Sequence, residues 1–220
     1  MSTEPDTAAA PGLPAIAPYA LPQAADLPHP RAPFRLQRDR AALLVHDMQR
    51  YFLRPYAPDA SPLAPAIANI ARLAAACRTA GVPVFYTAQE VRQDPRDRGL
   101  QAKLWGPGMS DPEAHRPIVE PLQPLPGDIV LAKHRYSAFQ RSNLAALMRA
   151  RGRDQIVICG VYAHIGCLLT AAEAFMRDIE PFLIADAVAD FSRAQHDGAL
   201  TYLAQVCGVP LTTAQACAVL

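Results

Sequence analysis

Ile156-Val-Ile-Cys-Gly-Val-Tyr-Ala-His-Ile-Gly-Cys-Leu-Leu-Thr-Ala-Ala-Glu-Ala-Phe-Met-Arg177 is the stretch that decides the fold. It reads as a short apolar strand, a tight turn through Gly160 to Gly166, and an amphipathic helix. A strand that feeds a helix through such a turn points backbone N–H groups into a crevice above a sheet. Cys167 falls near the helix N-terminus, where a thiol pKa is lowered and a nucleophile is made. The competing reading is a small buried core thiol.

Outward from this unit, strands and helices alternate. Ala41-Ala-Leu-Leu-Val-His46 is a continuous apolar run ending in Asp47, the pattern of a strand buried on both faces. A helical period over Pro65 to Ala80 follows and stops at Gly81. Further strands are expected at Val82–Thr87, Ile129–Ala132, Gln155–Cys159, Pro181–Ala185 and Val209–Thr212. Helices are expected at Asn143–Arg151 with Ser142 as cap, at Ile165–Arg177, and at Ser192–Val206 capped by Ser192. Residues 90–127 are rich in proline, glycine and charge and form a long excursion. This order predicts right-handed βαβ crossovers and a three-layer α/β/α domain with a mostly parallel six-stranded sheet of Rossmann-like topology. Residues 1–33 hold eight of the 22 prolines and no apolar period. The chain thus divides into a proline-rich N-terminal arm, 1–37, and a body, 38–220.

Composition narrows the class. With 51% hydrophobic and 19% charged residues the chain builds one globular α/β core. A net charge of +1 gives no reason to expect nucleic acid as a partner. No apolar run is long enough to span a membrane. Met1-Ser-Thr-Glu-Pro-Asp6 lacks the look of a secretory signal, and five scattered cysteines without Cys-x-x-Cys spacing suit reduced thiols. The expected location is the cytoplasm.

Sites in such sheets lie at the carboxyl ends of the strands. The residues there are Asp47, Gln89, Lys133 and Tyr162: an acid, an amide, an ammonium and a phenol. Asp47 is either a functional acid or the cap of the next turn. Burial would raise its pKa toward neutrality, and a nearby Lys133 would lower it. His46, His134, His164 and His196 lack metal-ligand spacing.

Six blocks in order resemble the isochorismatase subgroup of the cysteine-hydrolase-like superfamily. They are Leu43-Leu-Val-His-Asp-Met-Gln-Arg-Tyr-Phe52, Tyr86-Thr-Ala-Gln89, Leu104-Trp-Gly-Pro-Gly-Met109, Lys133-His-Arg-Tyr-Ser-Ala-Phe139, Gly160-Val-Tyr-Ala-His-Ile-Gly166 and Ile184-Ala-Asp-Ala-Val-Ala-Asp-Phe-Ser192. Against the superfamily's amidases, the nucleophile position falls on Gly166 and Cys167 is the residue after it. The amidase Asp and Lys are kept as Asp47 and Lys133, and the metal-binding histidines are not matched. The resemblance implies hydrolysis of a vinyl ether, releasing pyruvate from isochorismate or 2-amino-2-deoxyisochorismate. Asp47 would be the acid, and no metal, cofactor or covalent thiol is expected. Arg98 and Lys133 would meet a dicarboxylate substrate. Gln89 would bond a polar group, Trp105 and Tyr162 would line the pocket, and N–H groups near Gly166 would hold one carboxylate. The glycine itself would leave room for the substrate, with the excursion folding over the site. The resemblance also implies a homodimer. Met48 to Pro55 looks like the phenazine-type enzymes, and Tyr162 to Cys167 with Phe175 to Asp178 like the siderophore type, so both substrates stay open. The rival classes are a thiol amidase using Cys167 and a non-catalytic binding protein on the same fold.

Overall fold

The computed structural model describes residues 13–220, so the first twelve residues of the proposed arm lie outside the described residues. Six strands form one sheet: β1 (Ala41–His46), β2 (Val84–Ala88), β3 (Ile129–Ala132), β4 (Gln155–Val161), β5 (Glu180–Ala189) and β6 (Val209–Leu211). Their order is β3-β2-β1-β4-β5-β6, and every pairing is parallel. The helices are α1 (Arg50–Leu53), α2 (Leu63–Thr79), α3 (Pro95–Arg98), α4 (Leu100–Trp105), α5 (Leu144–Ala150), α6 (Leu168–Phe175), α7 (Arg193–Val206) and α8 (Thr213–Cys217).

The central strands are buried end to end, as unbroken apolar runs dictate when both faces of a parallel sheet are covered. Alternate side chains serve two cores. Leu43, Val45, Val157 and Cys159 face Ile70, Leu73, Ala74 and Cys77 of α2, with Ala216 of α8 in the same layer. Ala42, Leu44, Ile156 and Ile158 face Leu144 and Met148 of α5, Ala171 and Ala174 of α6, and Leu200 and Leu203 of α7. The strand order reverses between β1 and β4. A crevice opens at their carboxyl ends, and that crevice positions the site.

Four expectations need correction. First, β4 does not turn at Gly160. Gly160 carries a φ of 111° within the strand, and a Cβ there would lie 2.8 Å from His46 N and 2.9 Å from its carbonyl carbon, closer still to its oxygen. Glycine therefore lets β4 run against β1 as far as Val161. The turn begins at Tyr162 and continues as a π-helical turn over Ala163–Cys167. Second, β5 runs four residues past Ala185. Asp186 is tolerated in it because Thr213 donates both its N–H (2.6 Å) and its hydroxyl (2.8 Å) to Oδ1. Third, α8 was not anticipated, although Thr212 and Gln215 form a capping box for it. Fourth, the cap position of α5 is Asn143, while the Ser142 hydroxyl donates to Ala138 O and accepts from Leu144 N–H.

The described part of the arm lies against the body. Ile16 N–H donates to Pro55 O, Arg31 N–H to Ala204 O, and the Tyr19 hydroxyl accepts from Asp190 N–H at 2.8 Å. No helix among the described residues is long and apolar enough to cross a membrane.

Candidate active site

Asp47 follows directly on β1 with a positive φ of 51°, a conformation uncommon outside glycine that aspartate adopts more readily than most residues and that recurs at functional sites. Its N–H donates to Thr87 Oγ1 at the end of β2, and that hydroxyl donates back to Oδ1 at 2.6 Å. Lys133, the residue after β3, donates from Nζ to Oδ2 at 3.0 Å. Three neighbouring strand ends therefore hold one carboxylate, and both ionic partners are buried, Asp47 at 5% exposure and Lys133 at 3%. Burial opposes the Asp47 charge. The Lys133 ammonium, the neighbouring His46 and the Thr87 and Lys133 hydrogen bonds outweigh it and hold the carboxyl below its usual range. The expected contest between burial and lysine is thus settled toward the carboxylate in the free protein.

His46 is buried with Nδ1 2.8 Å from Val161 O and Nε2 3.3 Å from Tyr136 O. Burial lowers its pKa to about 4, so the ring is neutral; the shorter contact assigns the proton to Nδ1.

Gln49 is fully buried and pins the Gln89 backbone, accepting from Gln89 N–H (2.7 Å) and donating to Gln89 O (2.9 Å). This leaves the Gln89 side chain facing the pocket. Arg98 is only 6% exposed, and its Nε donates to Gly106 O at 2.7 Å. Its outer nitrogen reaches only the amide oxygens of Gln89 (3.5 Å) and Gln93 (3.4 Å). Among the described residues no carboxylate pairs with it. Burial lowers its pKa, yet a guanidinium stays charged. A desolvated cation without a counter-charge inside a cavity can pair with an anion.

Trp105, at the end of α4, donates its indole N–H to the Tyr136 hydroxyl at 2.6 Å and stands 6.1 Å from the Phe191 ring. The excursion thus forms the pocket's outer wall. Tyr162 spends its hydroxyl on Phe52 O, and burial pushes its pKa up, so it offers a ring rather than an acid. The Phe191 ring packs on it at 4.3 Å.

All seven residues singled out from the sequence (Asp47, Gln89, Arg98, Trp105, Lys133, Tyr162 and Gly166) line one pocket of about 530 Å³, mouth included. The pocket also takes in His46, Tyr51, Phe52, Gln101, Tyr136, Ile165, Phe191 and, from the arm, Leu13. His46, Tyr136 and Phe191 lie inside the quoted sequence blocks and were within reach of the sequence. Leu13 carried no signal.

Three readings change here. The N–H groups around Gly166 are largely committed: those of Ile165 and Cys167 to Tyr162 O, and that of His164 to Asp190 Oδ2. Nor is the volume that a side chain on Gly166 would need left open. A Cβ on it would lie 2.7 Å from His46 Nε2 and 3.0 Å from Nδ1, and nearer still to Cε1. The space belongs to the histidine ring. Cys167 is fully buried, and burial drives its thiol well above the ordinary value, the reverse of what the helix start suggested.

The model of the isochorismatase domain matches residues 41–215. The chain is 52% identical over 202 residues to phenazine biosynthesis protein PhzD1 of Pseudomonas aeruginosa, covering 92% of this chain and 97% of that one. It is 48% identical over 201 residues to the isochorismatase of Bacillus subtilis (strain 168), covering 91% of this chain but 64% of the length of that relative. Among solved structures, a cysteine hydrolase from Pseudomonas syringae pv. phaseolicola superimposes with a TM-score of 0.76 at 27% identity, over 87% of this chain and 96% of that one. The chain is an enzyme of the isochorismatase family.

Proposed function

We propose that this enzyme hydrolyses the vinyl ether of isochorismate or 2-amino-2-deoxyisochorismate. The products are pyruvate and a trans-2,3-dihydro-3-hydroxy benzoate or anthranilate, intermediates of siderophore, phenazine or related secondary metabolism. The observation that carries the reading is the buried Asp47, held by Thr87 and Lys133 in the same pocket as the unneutralised Arg98. Asp47, in its acid form, gives a proton to the terminal vinyl carbon. The ether oxygen stabilises the resulting oxocarbenium ion, and water attacks it. The water's surplus proton returns to Asp47, and the hemiketal collapses: the bond between the former vinyl carbon and the ether oxygen breaks, the hemiketal hydroxyl becomes the carbonyl of pyruvate, and its proton goes to the oxygen that stays on the ring as the 3-hydroxyl. The reformed carboxylate stabilises the cation electrostatically. A positioned acid contributes roughly 10²–10⁴-fold.

The resting carboxylate must gain a proton before it can act. Substrate supplies the conditions: its carboxylates engage Arg98 and Lys133, water leaves, and both changes raise the Asp47 pKa. Gln89 orients a polar group of the substrate, and the walls of Trp105 and Tyr162 exclude solvent. The chain's division into an arm, 1–37, and a hydrolase domain, 38–220, belongs to the same proposal, with Leu13 of the arm closing one side of the pocket. Family likeness supports a homodimer working in the cytoplasm.

The test is to offer isochorismate and its 2-amino analogue to the pure protein and measure pyruvate. Release from one or both is expected, and release from neither sinks the reading. The rival thiol amidase is separated by Cys167→Ala. Turnover within about threefold of the parent is expected, since the buried thiol touches no reacting atom. Loss of pyruvate release in a folded Cys167→Ala protein would restore the thiol mechanism.

A further inference from the structure

Gly166 stands at the start of a helix, and its φ is not among the positive ones. At such a position glycine weakens a helix relative to alanine, so some neighbour must require it. The neighbour is His46: any Cβ at 166 would fall on the atoms of its ring. The ring donates from Nδ1 to Val161 O just before the turn, and its Nε2 edge lies 3.3 Å from Tyr136 O in the loop after β3. On the carboxylate side, Asp47 Oδ2 lies 3.7 Å from Nδ1. A ring so enclosed cannot swing aside to admit a new side chain.

We propose that His46 takes the nucleophile's place: its imidazole, reaching in from β1, fills the volume any side chain at 166 would need, and so makes this a site without a covalent step. This deepens the acid-catalysed reading above and rests on it. Two positions 120 residues apart in sequence then decide the class of chemistry together, and a thiol cannot be installed at 166 while the ring is present. With a pKa of about 4 the ring carries no charge near neutrality.

Melting temperatures of the parent, His46→Ala, Gly166→Ala and the double variant test this. In the parent background Gly166→Ala is expected to lower the melting temperature by roughly 3–10 °C, from overpacking against a fixed ring. In the His46→Ala background the same change is expected to raise it by roughly 1–4 °C, because only the helical preference for alanine is left. Recovery of a folded double variant from an insoluble Gly166→Ala counts as the same result. His46→Ser serves if His46→Ala is not recovered. Gly166→Ala melting with the parent, or a double variant melting below His46→Ala, overturns the proposal.

A second readout places cysteine at 166 in the His46→Ala background and treats it with iodoacetamide. The thiol proton goes to solvent, the S–C bond forms and iodide leaves. Mass spectrometry should find position 166 modified, whereas the parent, with its other cysteines buried, reacts at half-buried Cys217. A folded variant inert at 166 also overturns the proposal. Neither readout involves pyruvate, so failure here and failure of the proposed reaction are told apart.

Discussion

Asp47→Asn should lower kcat/KM for pyruvate release by about 10²–10⁴-fold, the contribution of one well-placed acid. The amide keeps the volume and can still meet Thr87 and Lys133, but it has no acidic proton to give. The substitution also strips the buried Lys133 of its counter-charge, and breaking a buried pair costs about 3–5 kcal/mol. The melting temperature should therefore fall too, and circular dichroism at the assay temperature separates loss of chemistry from loss of fold. A folded Asp47→Asn enzyme that releases pyruvate at the parent rate rules out the acid role.

The parent's pH profile belongs to the same expectation. In the free enzyme Asp47 is held below the usual carboxyl range, so the acid form is scarce near neutrality. Because kcat/KM reports the free enzyme, it should fall about tenfold per unit as pH rises above that range. A profile that rises with pH would point to a thiolate instead.

The second large effect is structural. Gly160→Ala places a methyl group against the backbone of His46 at a φ that L side chains rarely adopt. The obstacle is main chain of the central strand and cannot rotate away. Backbone strain and overpacking each cost about 1–3 kcal/mol. The melting temperature should drop by roughly 5–20 °C at about 2–4 °C per kcal/mol. Melting within 2 °C of the parent would mean that β4 and β1 do not approach as described.

Much of this was legible in the chain. Leu43 to Asp47 announced a doubly buried strand with an acid at its carboxyl end, and the same reasoning found Lys133 and Gln89. Their convergence follows from topology alone, since β1, β2 and β3 are neighbours in a parallel sheet. What escaped depends on distances that sequence spacing does not encode. Gly160 reads as a turn until the approach of the His46 backbone is seen. Gly166 reads as vacancy until the imidazole is seen filling it. Leu13 reads as part of an arm without period, and only packing brings it to the pocket. The charge state of Asp47 depended on whether burial or Lys133 prevailed, and a 3.0 Å contact supported by the Thr87 hydroxyl decides that.

Trp105 is the chain's single tryptophan, and its indole stands in the pocket wall, bonded to Tyr136 and beside Phe191. All indole emission of the enzyme therefore originates in the wall of the proposed site. The protein carries its own optical reporter. Ligand entry and product departure can be watched in real time on the unlabelled enzyme, separately from any count of pyruvate. The order of events in one catalytic cycle is thereby open to stopped-flow measurement.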